Sequence, residues 1–212
     1  MEEKYIEMFN YVKNELSKND SKSSKIAKYP FRLRSEHIWR VYNWAKRLMD
    51  GNEYKSINVE SVLLASIFHD VGYAISLNSE DHAINSEIVF RKYSKENNFS
   101  KEKENFIAYL IRNHSNKKLM KNSDTPIELL ILFEADILDE TGAMSILWDC
   151  MADGMKEDPS YNKTFEHINN NTMKILDDNP MNTKKGREYW ERKQELVKIF
   201  MEELKFDLGI EI

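Results

Sequence analysis

Four of the five histidines, His37, His69, His82 and His114, fall in the first 114 residues of the chain. Each sits at or near an end of a predicted helix. Ends of several helices can converge on one cleft, whereas mid-helix surface positions rarely do. Imidazoles gathered with carboxylates hold divalent cations. In "LLASIFHDVGY" (63–73) an apolar run ends on the adjacent pair His69–Asp70, and Gly72 follows. One His-Asp dipeptide arises by chance about 0.3 times in a chain of this composition, so the pair needs partners elsewhere. Placement alone also admits four capping or partly exposed histidines.

Asp136 supplies a partner. It lies in "ELLILFEADILDE", apolar on nearly every side from Leu129 to Leu138, so its helix should be largely buried. An unpaired buried carboxylate would neutralise, and it stays ionised only beside a positive partner. A divalent cation shared with His37, His69 and Asp70 would serve. So would an arginine, or a place on the one wet stripe of this helix, which Glu134 is expected to take. Adjacent residues on a helix point about 100° apart. His69 and Asp70 therefore reach one ion only if it lies off the helix end, next to Gly72.

A set of His37, His69, Asp70 and Asp136 contains no thiolate, which argues against a closed structural zinc site. Imidazole plus carboxylate suits Mn²⁺, Fe²⁺, Co²⁺, Ni²⁺ or Zn²⁺ with positions left for water and substrate. Such a site activates water and polarises a phosphoryl oxygen. Arg34, just before His37, and Lys117 with Lys118, just after His114, could bind the remaining phosphate charge. Taken individually, each reads rather as a solvated surface cation. The run Lys18, Lys22, Lys25, Lys28, Arg32 and Arg34 reads as an anion-binding set or as a flexible basic loop.

These residues must be positioned by helices. Nearly every long segment has helical period, no convincing strand appears, and only 6 Gly and 4 Pro interrupt the chain. The pattern predicts an all-α fold of about eight or nine helices. A first helix spans 2–17, then "SKNDSKSSKIAKYP" forms a polar connector. A second spans 36–50, with Ile38, Val41, Tyr42, Ala45, Leu48 and Met49 on one face. Asn58 caps a third, running to about Asp70 and closed by Gly72 as its C-terminal cap. Helices follow from about 80 to 96 and from Ser100 to about His114. "TPIE" reads as a capping box, Thr125 with Glu128, opening a helix to about Asp139. Gly142 breaks it before "AMSILWDCMADGM", and helices over 161–177 and 183–206 close the chain.

The 212 residues are 41% hydrophobic with a net charge of −5. That composition excludes a disordered chain and argues against wholesale nucleic-acid binding, while leaving room for a small anionic substrate. Cys150 is the one cysteine, which forbids an internal disulfide and fits a reducing compartment. The N-terminus has no signal-peptide pattern and no run approaches membrane-spanning length. The expectation is a cytoplasmic protein without a membrane partner.

The order His37, then His69–Asp70, then Asp136 resembles the H…HD…D signature of the HD-domain metal-dependent phosphohydrolases. "RSEHIWRVYNWAKRL", "LLASIFHDVGY", "DHAINSEIVF", "LIRNHS" and "LFEADILDETGAM" resemble successive blocks of one bacterial branch of that superfamily, in order, over about 34–144. The resemblance implies one HD-type domain over 1–212, its core about 31–150, with helical extensions at both ends. It implies one divalent cation (Mn, Fe, Co, Ni, Zn or Mg) on His37, His69, Asp70 and Asp136. It also implies hydrolysis of a phosphate ester or anhydride, in similar branch members that of a nucleotide, by water the ion holds. His82 and His114 match positions that hold a second metal in some branches and touch phosphate in others. Glu80 and Asp81 could act beside Asp70 as general acid or base, or serve only the helix dipole. Asp139 could orient ligand or substrate. Ile137 stands where the branch often has an arginine, and Ile146, Leu147 and Trp148 where relatives commonly keep another. The rival functions are a two-metal hydrolase of dinucleoside polyphosphates or cyclic dinucleotides, and a non-catalytic nucleotide or metal sensor. A terminal helix packing on a second copy would make a homodimer.

Overall fold

The computed structural model describes residues 2–26, 29, 31–50, 56–78 and 80–210, and leaves the side chains of 19–26 undescribed. Lys22, Lys25 and Lys28 of the basic run thus lie outside the description. The fold is all-α, with no strand among the described residues. In chain order it comprises α1 (Glu3–Ile26), α2 (Arg34–Met49), α3 (Val59–Phe68), a 3-10 turn (Val71–Ala74), α4 (His82–Glu96) and α5 (Lys101–Asn113). A second 3-10 turn (Lys117–Lys121) leads to α6 (Ile127–Asp139), α7 (Ala143–Gly154), α8 (Tyr161–Asn170), α9 (Thr172–Leu176) and α10 (Lys184–Asp207). The helix predicted over 161–177 is interrupted at Asn171 (φ −119°, ψ −71°), so α8 and α9 share its span. The chain divides into two compact units, Met1–Asp136 and Ile137–Ile212.

The first unit is built around two helical hairpins, α2–α3 and α4–α5. The apolar stripe of α2 is buried at Ile38, Val41, Tyr42, Ala45 and Leu48, as its spacing predicts. Helix α3 is buried from Ser61 to Phe68, as a helix apolar all round must be. Phe68 packs 5.3 Å from Phe90 and 5.0 Å from Tyr93, and Tyr11 of α1 lies 4.7 Å from Tyr93. Each such side chain taken out of water contributes about 1.5–3 kcal/mol. Ion pairs bind α4 to α5: Arg91 Nη1 to Glu104 Oε1 and Arg112 Nη1 to Glu87 Oε2, both 2.8 Å. Helix α1 runs to Ile26, through most of the segment expected to be a polar connector. Polar residues exclude a buried face but not a helix, and no Gly or Pro intervenes before Pro30.

Two of the expected starts form as read. Asn58 Oδ1 accepts from Ser61 N at 3.1 Å, and Ser100 Oγ accepts from Lys103 N at 3.3 Å. The capping box before α6 does not form. Thr125 Oγ1 donates to Leu119 O at 2.7 Å, and Glu128 Oε1 accepts from Asn58 N at 2.9 Å. Glu128 therefore ties the start of α6 to the start of α3. Gly72 is not a left-handed cap either, because positive φ among the described glycines falls at Gly142 and Gly209. Its role is close approach: a Cβ there would meet His82 O at 2.1 Å and Ser86 N at 2.5 Å.

In the second unit Gly142 (φ +70°) opens α7, as its position suggested. Lys193 Nζ donates to Thr141 O at 2.9 Å beside it. Thr172 donates to Asp149 at 2.6 Å, and His167 meets Asp153 at 2.9 Å, joining α7 to α9 and α8. Thr183 caps α10, whose Trp190, Val197 and Met201 are buried. Among the described residues no helix is long and apolar enough to cross a membrane.

Candidate metal centre

The two hairpins of the first unit do the same thing. In each, a histidine in the first turn of the first helix faces a histidine just past the second helix. His37 Nε2 lies 3.3 Å from His69 Nε2, and His82 Nε2 lies 3.0 Å from His114 Nε2. Helix α3 ends at Phe68. His69 keeps helical angles (φ −55°, ψ −36°), but Asp70 leaves them (φ −111°, ψ 6°). This departure lets neighbouring residues converge off the helix end.

Asp70 sits between the pairs. Its Oδ2 is 3.5 Å from His37 Nε2 and 3.6 Å from His69 Nε2. Its Oδ1 is 3.4 Å from His114 Nε2 and 3.6 Å from His82 Nε2. One carboxylate thus turns a different oxygen to each imidazole pair. His37, His69 and Asp70 form one potential metal-holding group, and Asp70, His82 and His114 form another. Asp136 Oδ1 is 3.3 Å from His37 Nε2, so it borders the first group.

The ring orientations suit ligation. His69 Nδ1 lies 2.8 Å from Ser66 O, and His114 Nδ1 lies 2.7 Å from Ile111 O. A carbonyl only accepts, so each Nδ1 must carry the proton and donate it. In the neutral ring, Nε2 then offers its lone pair to the cluster. Lone pairs facing carboxylate oxygens at these distances favour a cation between them. The residues present fit a divalent ion.

Electrostatics agree. Burial, outweighing the pull of Asp70, pushes the His69 pKa down to about 4, which keeps the ring neutral. Burial alone would raise the Asp70 carboxyl, but His69, Arg34, His114 and His37 hold it well below the usual carboxylate range. Burial likewise opposes ionisation of Asp136, and Lys117 with His37 and His69 outweighs it. Arg34 Nη1 donates to Asp70 Oδ2 at 2.7 Å, and Lys117 Nζ donates to Asp136 Oδ2 at 2.7 Å. Two of the three predicted cations, Arg34 and Lys117, therefore stand at the cluster, while Lys118 is exposed in the 3-10 turn after His114.

Arg34, His37, His69, Asp70, His82, His114, Lys117 and Asp136 are thus brought together. Glu80 and Asp81 are exposed in the turn ahead of α4, where Asp81 Oδ2 accepts from Asn78 Nδ2 at 3.2 Å. Asp139 is buried in the last turn of α6 and falls in the second unit. The wet stripe of α6 is the reverse of that expected: Glu134 is fully buried, and the Asp136 side chain is 20% exposed. Asp136 meets His37 and Lys117, and this polar surrounding leaves its side chain partly open although its helix is apolar. Sequence reasoning passed over Tyr73. Its ring lies 4.3 Å from the Arg34 guanidinium and stacks on His82 at 5.0 Å with 20° between planes. The available signal was an aromatic three residues after Asp70, in the same turn.

The HD domain family matches residues 34–141, a span that holds every member of the cluster. No curated protein matches the chain. Among solved structures, an HD-superfamily hydrolase from Bacillus thuringiensis superposes with a TM-score of 0.69 at 22% identity, covering 99% of this chain and 98% of its own. Bacillus subtilis YpgQ gives 0.64 at 20%, covering 96% and 94%, and one structure of YpgQ is a complex with ADP. A predicted HD-superfamily hydrolase from an uncultured Thermotogales bacterium gives 0.62 at 18%, covering 96% and 92%. At these identities the likeness speaks for the fold, and the match over 34–141 speaks for the family: the chain belongs to the HD domain family.

Proposed function

We propose that the protein is a metal-dependent phosphohydrolase that cleaves a phosphate ester or anhydride of a small substrate, most naturally a nucleotide. One observation carries the reading: the Nε2 atoms of His69 and His114, whose Nδ1 atoms face backbone carbonyls, converge with the Asp70 carboxylate in a buried cluster, with Asp136 at its edge. His37, His69, Asp70 and Asp136 would hold the ion. A divalent cation supplies Lewis acidity there, lowering the pKa of water and polarising a phosphoryl oxygen.

The remaining residues bind and orient. Arg34 and Lys117 bring fixed positive charge within 2.7 Å of the two carboxylates, where a phosphate anion can share it. His82 and His114, the imidazole pair on the other side of Asp70, would touch phosphate. Asp139, on the helix that carries Asp136, would orient the bound ligand. Glu80 and Asp81, just ahead of His82, are the candidates for moving the proton to the leaving group. The nucleotide part of the proposal draws support from the ADP complex of YpgQ. A cytoplasmic setting goes with it.

A second reading has its own support. Asp70 Oδ1 faces His82 and His114 as Oδ2 faces the first pair. In a two-ion hydrolase, His37, His69 and Asp70 would hold one ion and Asp70, His82 and His114 the other. Metal counting on the purified protein separates the readings, near one ion per chain or near two. Phosphate release from a panel of nucleotides and phosphate esters, with added Mn²⁺, Co²⁺, Ni²⁺ or Mg²⁺, tests both. No turnover with any ion, or full turnover in Asp70→Ala, would reject the enzyme.

A further inference from the structure

Tyr73 is the one aromatic residue in the turn that follows Asp70. It is half-buried, and its backbone N–H donates to Asp70 O at 3.3 Å, so its place is fixed relative to that carboxylate. Its ring touches two groups that come from distant parts of the chain. The Arg34 guanidinium, in the first turn of α2, lies 4.3 Å from the ring centroid. The His82 imidazole, at the start of α4, stacks on it at 5.0 Å, nearly parallel. Those two groups address opposite oxygens of Asp70: Arg34 donates to Oδ2 at 2.7 Å, and His82 Nε2 stands 3.6 Å from Oδ1.

We infer that Tyr73 is a positioning residue, an aromatic plate that holds the Arg34 guanidinium and the His82 imidazole at the two oxygens of Asp70 and so sets where phosphate can bind. The physics is specific to an aromatic face. A guanidinium is drawn to the negative face of the ring, and an imidazole stacks on it, whereas an aliphatic side chain of similar volume offers neither. Arg34 carries several rotatable bonds, and without the plate only one ion pair would restrain it. The hydroxyl is not needed for either contact. The ring contacts on which the plate rests are Arg34 and His82, so removing the ring would leave the side chains of His37, His69, Asp70 and Asp136 to hold the ion.

This inference rests on the proposed phosphate chemistry for its consequence but not for its geometry, and the experiment separates the two. Tyr73→Phe keeps the plate, and Tyr73→Leu removes it. The ring-current shift of the His82 side-chain protons, read by NMR, reports the stack without any turnover. Calorimetry with inorganic phosphate in the presence of Mn²⁺ reports binding, and KM against kcat reports use. Tyr73→Leu should lose the His82 shift, weaken phosphate binding and raise KM by about 10-fold, with kcat and Mn²⁺ affinity within about 3-fold of wild type. Tyr73→Phe should match wild type in all of these. An unchanged His82 shift in Tyr73→Leu overturns the inference. So do phosphate affinity and KM that stay at wild-type values when the shift is lost, or a Tyr73→Phe protein as impaired as Tyr73→Leu. A wild-type protein that neither binds phosphate nor hydrolyses any substrate would instead overturn the proposed function, and with it the role of the plate, even where the His82 shift behaves as expected.

Discussion

Gly72→Ala perturbs the joint between the His69–Asp70 turn and α4. A Cβ at this position would stand 2.1 Å from His82 O and 2.5 Å from Ser86 N, both backbone atoms of the first turns of α4. Neither atom can rotate away as a flexible side chain could. The helix start must retreat until the 2.1 Å approach opens to 3.4 Å before contact becomes ordinary, and overpacking of this kind costs about 1–3 kcal/mol. The Gly72 N–H also donates to Ser86 Oγ at 2.8 Å in a buried setting, and the same retreat stretches that bond. Losing it adds about 1 kcal/mol, for a total near 2–4 kcal/mol. Urea unfolding followed by far-ultraviolet circular dichroism measures the change. Gly154→Ala is the control: no atom lies within 4 Å of its Cβ position, and it ends a helix, so the substitution should be neutral or stabilising by up to about 1 kcal/mol. The displaced helix start carries His82, so turnover should also fall, by about 10- to 100-fold. A Gly72→Ala protein within about 0.5 kcal/mol of wild type would refute the packing argument, since no named mechanism would remain for so small a cost.

Other consequences follow from the same geometry. Asp70→Asn keeps the shape of the side chain but removes the charge shared by both histidine pairs; Mn²⁺ affinity by calorimetry should fall more than about 100-fold and phosphate release should cease, while affinity within 10-fold of wild type would contradict its central place. Treatment with EDTA should abolish phosphate release, and added Mn²⁺ or Co²⁺ should restore it. In chelator-treated protein, stability should decline as pH falls from about 6.5 towards 4: the unfolded chain protonates His69 in that window while the folded chain, with its pKa lowered to about 4, does not. The loss is about 2 kcal/mol at pH 5, and His69→Gln should flatten the slope; an unchanged slope would show that His69 is not its source. Glu128→Ala removes the acceptor for Asn58 N at 2.9 Å and should cost about 1–2 kcal/mol, whereas Glu128→Gln keeps an acceptor and should cost under about 1.

The helices were legible where burial writes a period. Ile38 to Leu48 and Trp190 to Met201 are apolar at helical spacing because one face of each helix leaves water, and both are found buried on that face. Caps were legible where a side chain serves its own helix, as at Asn58 and Ser100, and the break at Gly142 was legible from the glycine itself. They were not legible where tertiary structure claims the same atoms. Glu128 follows Thr125 at capping-box spacing, but its carboxylate goes to Asn58, 70 residues earlier in the chain. Gly72 looks like a helix end because glycine commonly is one; the reason for it here, the closeness of His82 O, is a contact that no local window contains.

The site itself was legible for a reason that reaches beyond the signature. His37 and His69 are 32 residues apart, and so are His82 and His114. That equality reflects two hairpins of similar length, each returning the chain to its starting level. Each carries an acceptor carbonyl three residues before its second histidine, Ser66 for His69 and Ile111 for His114. In each hairpin the contact joins the first turn of one helix to the residue just past the next, even though α2 has 16 residues and α3 only 10. Asp70 becomes the centre because it is the first residue past α3 to leave helical angles, at the point where the first hairpin ends. What spacing could not show was the environment of the carboxylates. An apolar neighbourhood suggests burial for Asp136, yet its side chain is partly open while Glu134, two residues earlier, is sealed. A pattern of neighbours along a helix gives the average polarity of its faces. It does not reveal that Asp136 meets His37 and Lys117 from other parts of the chain. That polar cluster exists only once segments distant in sequence have packed, which is also why Arg34 and Lys117, read individually as surface cations, turn out to stand on the two carboxylates.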